Sequence, residues 1–93
     1  MARYKRIGIL GGLSPESTVT YYQLITRRYT ERFGDYAYPE IIIFSCSFQD
    51  YVDWQENGEW DKAAAHMVES IKRLAQAGAD FAIIASNTMH RVF

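Results

Sequence analysis

A group of small polar residues follows an apolar run near the end of the printed chain. The apolar run covers residues 81–85, and Ser86, Asn87 and Thr88 come directly after it. Hydroxyl and amide side chains, together with backbone N–H groups at the start of a helix, can hold a carboxylate through several hydrogen bonds. The same side chains could instead cap the following helix. Spacing alone slightly favours capping, and the two interpretations are compatible.

A second candidate site lies in residues 11–16, which read Gly-Gly-Leu-Ser-Pro-Glu. Backbone N–H groups of a glycine-rich loop at a helix N-terminus can cradle an anion. The loop is not a Walker A motif because no Gly-Lys-Ser/Thr follows, and its glycine spacing does not fit the dinucleotide fingerprint. The alternative is a tight strand-to-helix turn that needs glycine for a positive φ. Both interpretations remain open from the sequence.

Three further residues have side chains that could do chemistry. His90 could transfer protons, although a lone histidine is more often structural. Cys46 ends a predicted strand, and a buried inert thiol is the favoured interpretation. Gln55 lies between a predicted strand and a helix, where an amide could line the rim of a pocket. We interpret the acidic residues between positions 50 and 61 as a solvated face without metal-ligand spacing, and we expect no metal site.

The first half of the chain predicts one strand and one helix. Residues 7–10 form an apolar run bounded by glycines, which is typical of a buried strand. Ser14 suits the N-cap of the following helix, and Pro15 suits its first position. Gly34 is a natural end for this helix near residue 33. Apolar residues recur along it at spacings of three and four, giving one apolar face: Val19, Tyr22, Ile25, Tyr29 and Phe33.

The second half predicts two more strands and two more helices. Residues 40–46 are β-branched and continuous, which indicates a parallel strand covered on both faces. A short helix is expected around residues 51–56, closed by Gly58. A longer helix is expected over residues 60–77, ended by Gly78, and the last strand over residues 81–85. The apolar positions of the longer helix are Ala64, Met67, Val68, Ile71, Leu74 and Ala75.

The alternation of strands and helices predicts the α/β class, with a parallel sheet and helices on its faces. Right-handed crossovers restrict the layout. We predict the strand order 2-1-3, in which the helices lie on opposite faces of the sheet in a three-layer αβα arrangement. The topological switch point then falls between the first and third strands, where ligands bind in open α/β sheets. Residues 11–16 and 86–90 meet at that point, so topology and composition indicate the same site.

The bulk composition excludes several classes of protein. A chain of 93 residues fits one small domain. A formal net charge of -1 gives no field that would attract nucleic acid or an acidic membrane. The single cysteine excludes an internal disulfide and fits a reducing compartment. No stretch approaches the roughly 20 apolar residues of a membrane helix, and we expect a cytoplasmic protein.

Residues 7–18 resemble the aspartate/glutamate racemase family of cofactor-independent amino-acid racemases. The resemblance extends over all 93 residues and also rests on Tyr21-Tyr22, on residues 58–62 and on residues 86–90. It is closest to the broad-specificity aspartate/glutamate type and covers the N-terminal part of the family's chains. It implies two similar α/β domains, with one thiol from each facing the substrate Cα. One thiol removes the α-proton and the other returns a proton on the opposite face.

The resemblance also assigns roles to individual residues. Ser86 occupies the first acid/base position, and Asn87 and Thr88 bind the substrate carboxylate. Leu13 and Gln55 match substrate-contacting positions on the pocket wall. Most members carry Cys where this chain has Ser86. Because a serine hydroxyl is a far weaker acid than a thiol, its alkoxide is a poor resting base without a partner.

The resemblance implies an amino-acid substrate such as aspartate or glutamate, no pyridoxal phosphate, no metal and a homo-oligomer. Family chains are more than twice as long as this one, so we expect residues 1–93 to form a single truncated racemase-like α/β domain. Such a chain lacks the second half of the active site and should be inactive alone. The alternative is a non-catalytic module that binds carboxylates or amino acids, or that self-associates through its third strand.

Overall fold

The order of the secondary-structure elements agrees with the order predicted from the sequence. A computed structural model describes residues 5–34, 36 and 38–85. The elements are β1 (Ile7–Gly11), α1 (Pro15–Phe33), β2 (Ile41–Ser45), α2 (Phe48–Glu56), α3 (Trp60–Gln76) and β3 (Phe81–Ile84). The largest difference in bounds is at α2, which begins three residues before the predicted start. Asp50 in its first turn complements the positive end of the helix dipole.

The three strands form one parallel sheet in the order β2-β1-β3, which confirms the predicted topology. In its register, Ile7 lies between Ile41 and Phe81, and Leu10 lies between Phe44 and Ile84. Every residue of β1 is buried, as expected for a central strand. Because the strands are parallel, their carboxyl ends lie together at one edge of the sheet.

The helices cover opposite faces of the sheet. Successive side chains of a strand alternate between the two faces. Ile7 and Ile9 therefore pack with Tyr21 and Ile25 of α1 on one face. The opposite face carries the larger core, formed with α2 and α3: Leu10, Leu13, Cys46, Tyr51, Ala63, Met67, Leu74 and Ile84. This arrangement is the expected three-layer αβα fold.

Helix α1 contacts the sheet through a face that only partly overlaps the predicted apolar face, since Ile25 of that face packs against the core. Thr18 is its buried residue, whereas the side chains of Val19, Tyr22 and Phe33 are exposed, Val19 by 55%. The reason lies in Gly11, since a Cβ there would come within 2.5 Å of Thr18 Oγ1. Only glycine lets α1 approach β1 this closely, and Thr18 occupies the space. In α3 the buried residues are Ala63, Met67, Ser70 and Leu74, while Val68 is exposed.

Polar bonds fasten the amino ends of the strands. The Arg6 backbone N–H donates to Asp80 Oδ2 at 2.7 Å, and the Asp80 N–H donates to the Arg6 carbonyl at 2.9 Å. The Arg6 guanidinium also bonds Glu40 at 2.7 Å. These contacts lie at the edge of the sheet opposite to the carboxyl ends of the strands, where the following loops begin. In the described part of the chain, no helix is both long enough and apolar enough to cross a membrane.

Candidate functional site

The segments that follow β2 and β3 are hydrogen-bonded to the end of β1. The Cys46 N–H donates to the Gly11 carbonyl at 2.8 Å, and the Ala85 N–H donates to the Leu10 carbonyl at 3.0 Å. Ala85 is fully buried and thus fixed against the glycine loop. Ala85 is therefore held beside the end of β1, and the predicted meeting of residues 11–16 with residues 86–90 stays a prediction.

The small polar residues predicted to bind a carboxylate begin at Ser86, directly after Ala85. Ser86, Asn87, Thr88 and His90 lie outside the described residues. Their roles stay predictions, supported by the position of Ala85 beside the loop.

Gly12 turns the chain from β1 towards α1. Its φ is +88°, and a Cβ there would overlap the carbonyl oxygen of Cys46 and come within 2.7 Å of the Cys46 nitrogen. The Leu13–Ser14 peptide bond that follows is cis. The turn interpretation of the glycine loop is thus confirmed at Gly12, where both the backbone conformation and the close approach require glycine.

Thr18 holds the loop from the first turns of α1. Its hydroxyl oxygen accepts a hydrogen bond from the Gly12 N–H at 2.8 Å. The same hydroxyl donates to the carbonyl oxygen of Ser14 at 3.2 Å. Because the bond to Gly12 is buried, water cannot easily replace it.

Replacing Thr18 with valine should destabilise the chain by about 1–3 kcal/mol, because the isosteric side chain leaves the buried Gly12 N–H without an acceptor. Urea unfolding followed by circular dichroism measures the change, and hydrogen exchange at Gly12 should quicken. Thr20→Val is the matched control, since its hydroxyl makes an exposed bond within α1, to the Glu16 carbonyl. Equal losses of stability in the two variants would contradict a special role for Thr18.

The start of α1 is where the sequence predicts it. Ser14 is the N-cap residue, Pro15 occupies the first turn and Glu16 adds a negative charge there. The Ser14 side chain makes no capping hydrogen bond, and its hydroxyl instead faces the Ser17 hydroxyl at 3.4 Å. The Ser14 hydroxyl therefore does not satisfy the backbone N–H groups of this first turn.

The two predicted wall residues lie on different elements. Leu13 follows Gly12 and belongs to the larger core, with 3% of its surface exposed. Gln55 is partly buried near the end of α2, one helical turn after Tyr51. Tyr51 packs in the same core cluster as Leu13, which connects the two positions. Contact with a substrate stays a prediction for both.

A polar cluster beneath the loop was missed in the sequence analysis. The Tyr51 hydroxyl lies 2.6 Å from His66 Nδ1, and the Ser70 hydroxyl donates to the His66 carbonyl at 2.8 Å. Tyr51 and Ser70 also hydrogen-bond with the Cys46 side chain. The sequence pattern that could have indicated part of this cluster is the spacing of His66 and Ser70, which lie four residues apart on one face of α3.

Burial shifts the pKa of two groups in this cluster, Cys46 and Tyr51. It raises the pKa of the Cys46 thiol, and hydrogen bonds with Tyr51 and Ser70 offset part of that rise. It also raises the pKa of the Tyr51 phenol, to which the neighbouring Cys46 adds. Cys46 is therefore a protonated thiol at neutral pH, which agrees with an inert residue. Among the described residues, no group of three or more histidine, cysteine, aspartate or glutamate side chains is arranged to hold a metal ion.

The chain is similar to amino-acid racemases in sequence and in structure. The family described as Asp/Glu/Hydantoin racemase matches residues 10–93. The broad specificity amino-acid racemase RacX of Bacillus subtilis (strain 168) is 31% identical over 88 residues, which cover 90% of this chain and 37% of RacX.

Two crystal structures have the same fold. One, from Yersinia pestis, is described as an Asp/Glu racemase; it has a TM-score of 0.91 and 34% identity, over 96% of this chain and 39% of that one. The other, an aspartate racemase homologue from Pyrococcus horikoshii OT3, has a TM-score of 0.87 and 39% identity, over 97% of this chain and 39% of that one. The chain thus spans less than two fifths of the length of these relatives. It belongs to the Asp/Glu/Hydantoin racemase family.

Proposed function

We propose that this chain supplies one half of the active site of an amino-acid racemase of the aspartate/glutamate type. The observation that carries the proposal is the pair of backbone hydrogen bonds that join Cys46 to Gly11 and Ala85 to Leu10. They fasten the residue before Ser86 beside the loop that holds Leu13. Family membership supports the reaction class, which is inversion at the Cα of an amino acid.

In this proposal each predicted site residue has one role. Ser86 is the acid/base residue that faces the substrate Cα, and Asn87 and Thr88 bind the substrate carboxylate. Leu13 and Gln55 form the wall against the substrate side chain. A serine alkoxide forms only with the help of a base. We therefore expect a second acid/base group from outside residues 1–93.

We also propose the extent, the substrate, the cofactor requirement and the assembly of the enzyme. Residues 1–93 form the N-terminal part of the first racemase domain and are inactive alone. The complete enzyme acts on aspartate or glutamate, without pyridoxal phosphate or metal, as a cytoplasmic homo-oligomer. Insensitivity to hydroxylamine and to EDTA would support catalysis without either cofactor.

The deciding experiment is exchange of the substrate α-proton in deuterated water, followed by NMR with each enantiomer of aspartate and glutamate. It uses the protein as its source organism makes it, after its intact mass has been measured. Ser86→Ala should slow exchange by about 100-fold or more, the range of a lost acid/base group. Ser86→Cys should keep or raise the rate, because a thiol ionises more readily.

Thr20→Ala is the control, since Thr20 lies on the exposed side of α1. No exchange by the unaltered protein in a form longer than residues 1–93 would overturn the proposal. Calorimetric binding of aspartate without exchange would then favour the alternative function, a non-catalytic amino-acid-binding module. An exchange rate that is equal in Ser86→Ala and in the unaltered protein would remove Ser86 from the mechanism.

A further inference from the structure

Four side chains from three parts of the fold meet beneath the glycine loop. Cys46 follows β2, Tyr51 belongs to α2, and His66 and Ser70 belong to α3. Tyr51 is 0% exposed and Ser70 1%, so their hydroxyl groups must be satisfied inside the protein. We call these four residues the Tyr51 cluster. Its hydrogen bonds connect elements that are far apart in the sequence.

The hydrogen bonds of the cluster centre on His66. The Ser70 hydroxyl donates its hydrogen to the His66 carbonyl at 2.8 Å. The Tyr51 hydroxyl and His66 Nδ1, 2.6 Å apart, share a second hydrogen bond, and the tautomer of His66 decides which of the two atoms donates. The phenol donates when the imidazole hydrogen is on Nε2, and the phenol oxygen accepts when it is on Nδ1.

Aromatic packing keeps the phenol in this position. The Tyr51 ring meets the Trp54 ring edge-on at 5.1 Å between centroids and the His66 ring at 5.4 Å. Edge-to-face contacts of this kind add to the stabilisation that comes from burial. A tyrosine packed on two sides has little freedom to turn its hydroxyl to another acceptor.

The Tyr51 cluster also touches the elements that carry both predicted wall residues. Gln55 lies four residues after Tyr51, so it is the next residue on the same side of α2. Leu13 packs in the core cluster that contains Tyr51 and Cys46. The backbone of Cys46 lies against Gly12, the residue that precedes Leu13. A shift of Tyr51 would therefore move α2 on one side and the loop on the other.

We propose that Tyr51 is a positioning residue, whose hydroxyl, held by His66 Nδ1, fixes Leu13 and Gln55 in the wall that selects the amino-acid side chain. The selection of a side chain rests on the proposed racemase function, whereas the positioning does not. Tyr51 acts through these two residues and takes no part in proton transfer at Cα. The wall is proposed to distinguish acidic amino acids whose side chains differ in length.

The first test uses Tyr51→Phe in the complete protein, because this change removes the hydroxyl and keeps the ring. Nitrogen-15 NMR should show His66 as a single tautomer, fixed by the hydrogen bond to Tyr51, in the unaltered protein and as a tautomer mixture in the variant. The signals of Leu13 and Gln55 should shift in the same variant. Tyr36→Phe is the matched control, since Tyr36 is 90% exposed and should leave all these signals unchanged.

A pair of His66 variants separates positioning from simple packing. His66→Asn keeps an acceptor oxygen close to the place of Nδ1, whereas His66→Gln places its amide nearer the position of Nε2. The Asn variant should keep the Leu13 and Gln55 signals near their original positions, and the Gln variant should not. Identical shifts in the two variants would overturn the proposed hydrogen bond as the positioning contact.

The kinetic test compares aspartate and glutamate. The net free energy of one hydrogen bond corresponds to about a tenfold change in an equilibrium constant, which sets the scale of an effect that Tyr51 passes on through Leu13 and Gln55. Tyr51→Phe should therefore raise KM for the preferred substrate about tenfold, with kcat within about twofold, and reduce the ratio of kcat/KM between the two amino acids. A fall in kcat at constant KM would overturn the proposal, because it would place Tyr51 in the chemistry.

The two proposals fail in different ways. If the complete protein turns over no amino acid but Tyr51→Phe still shifts His66, Leu13 and Gln55, the racemase function fails and the positioning contact stands. If turnover is normal and Tyr51→Phe shifts none of these signals, the positioning role fails and the racemase function stands. Urea unfolding of each variant confirms that it is folded under the conditions of measurement.

Discussion

Gly12→Ala is expected to destabilise the chain by roughly 2–6 kcal/mol, enough to unfold much of a small domain. Two effects combine, each of about 1–3 kcal/mol: a left-handed backbone at φ +88°, and a methyl group forced into the backbone of Cys46. The two nearest atoms, the carbonyl oxygen and the nitrogen of Cys46, belong to the backbone and cannot swing aside as a side chain can. Urea unfolding and circular dichroism measure the loss.

Gly34→Ala is the matched control for this change. Gly34 has a φ of +68°, but none of the described residues places an atom within 4 Å of the position that a Cβ would take. Its replacement should therefore reflect the left-handed backbone alone, about 1–2 kcal/mol. If the two glycine variants lost the same stability, the close approach of the loop to Cys46 would be refuted.

Leu10→Ala should destabilise the chain by about 2–5 kcal/mol, the usual range for a cavity left by a fully buried leucine. Leu10 is 0% exposed and belongs to the larger core on the α2 and α3 side of the sheet. Its carbonyl also accepts the hydrogen bond from Ala85. We expect hydrogen exchange at Ala85 to quicken together with the loss of global stability, measured by thermal unfolding.

Leu24→Ala provides the comparison within the same chain. Leu24 lies on α1 with 42% of its surface exposed, so its truncation leaves no closed cavity. The change should alter stability by about 0.5 kcal/mol or less. Similar losses for Leu10 and Leu24 would contradict the position of Leu10 at the centre of the core.

Most of the fold follows from local patterns in the sequence. The apolar runs and the glycines that end them predict the three strands and the helices between them, because each pattern has a local physical cause. Right-handed crossovers restrict the possible layouts, and in the predicted order 2-1-3 they place the helices on opposite faces of the sheet. The early start of α2 at Phe48 was missed, since residues 47–50 have no clear apolar period.

The buried face of α1 could be predicted only in part from apolarity, which placed Ile25 correctly but not Thr18. The pattern of Val19, Tyr22 and Phe33 suggested one stripe, but Thr18 is the buried residue. Its burial depends on the missing side chain of Gly11 and on the N–H of Gly12, which belong to a different element. Contacts of this kind depend on tertiary geometry and have no periodic signature.

Some features of the candidate site could also be predicted from the sequence, and others could not. Its place at the carboxyl ends of β1 and β3 follows from topology, and the bonds of Ala85 and Cys46 agree with it. The Tyr51 cluster was not predicted, because Cys46, Tyr51 and His66 come from separate elements. Local spacing links only His66 to Ser70 within α3. The depth of Leu13 in the core also depended on packing that the sequence pattern does not contain.

The buried Cys46 has a practical consequence for spectroscopy. It is the one cysteine in the printed sequence, and burial both hides its sulfur and favours the unreactive thiol form. A cysteine introduced at an exposed site, such as Tyr36→Cys, would react with a maleimide dye much faster than the native thiol. The molecule therefore accepts a single fluorescent or spin label without prior removal of its own cysteine, and distances can be measured with the Tyr51 cluster intact.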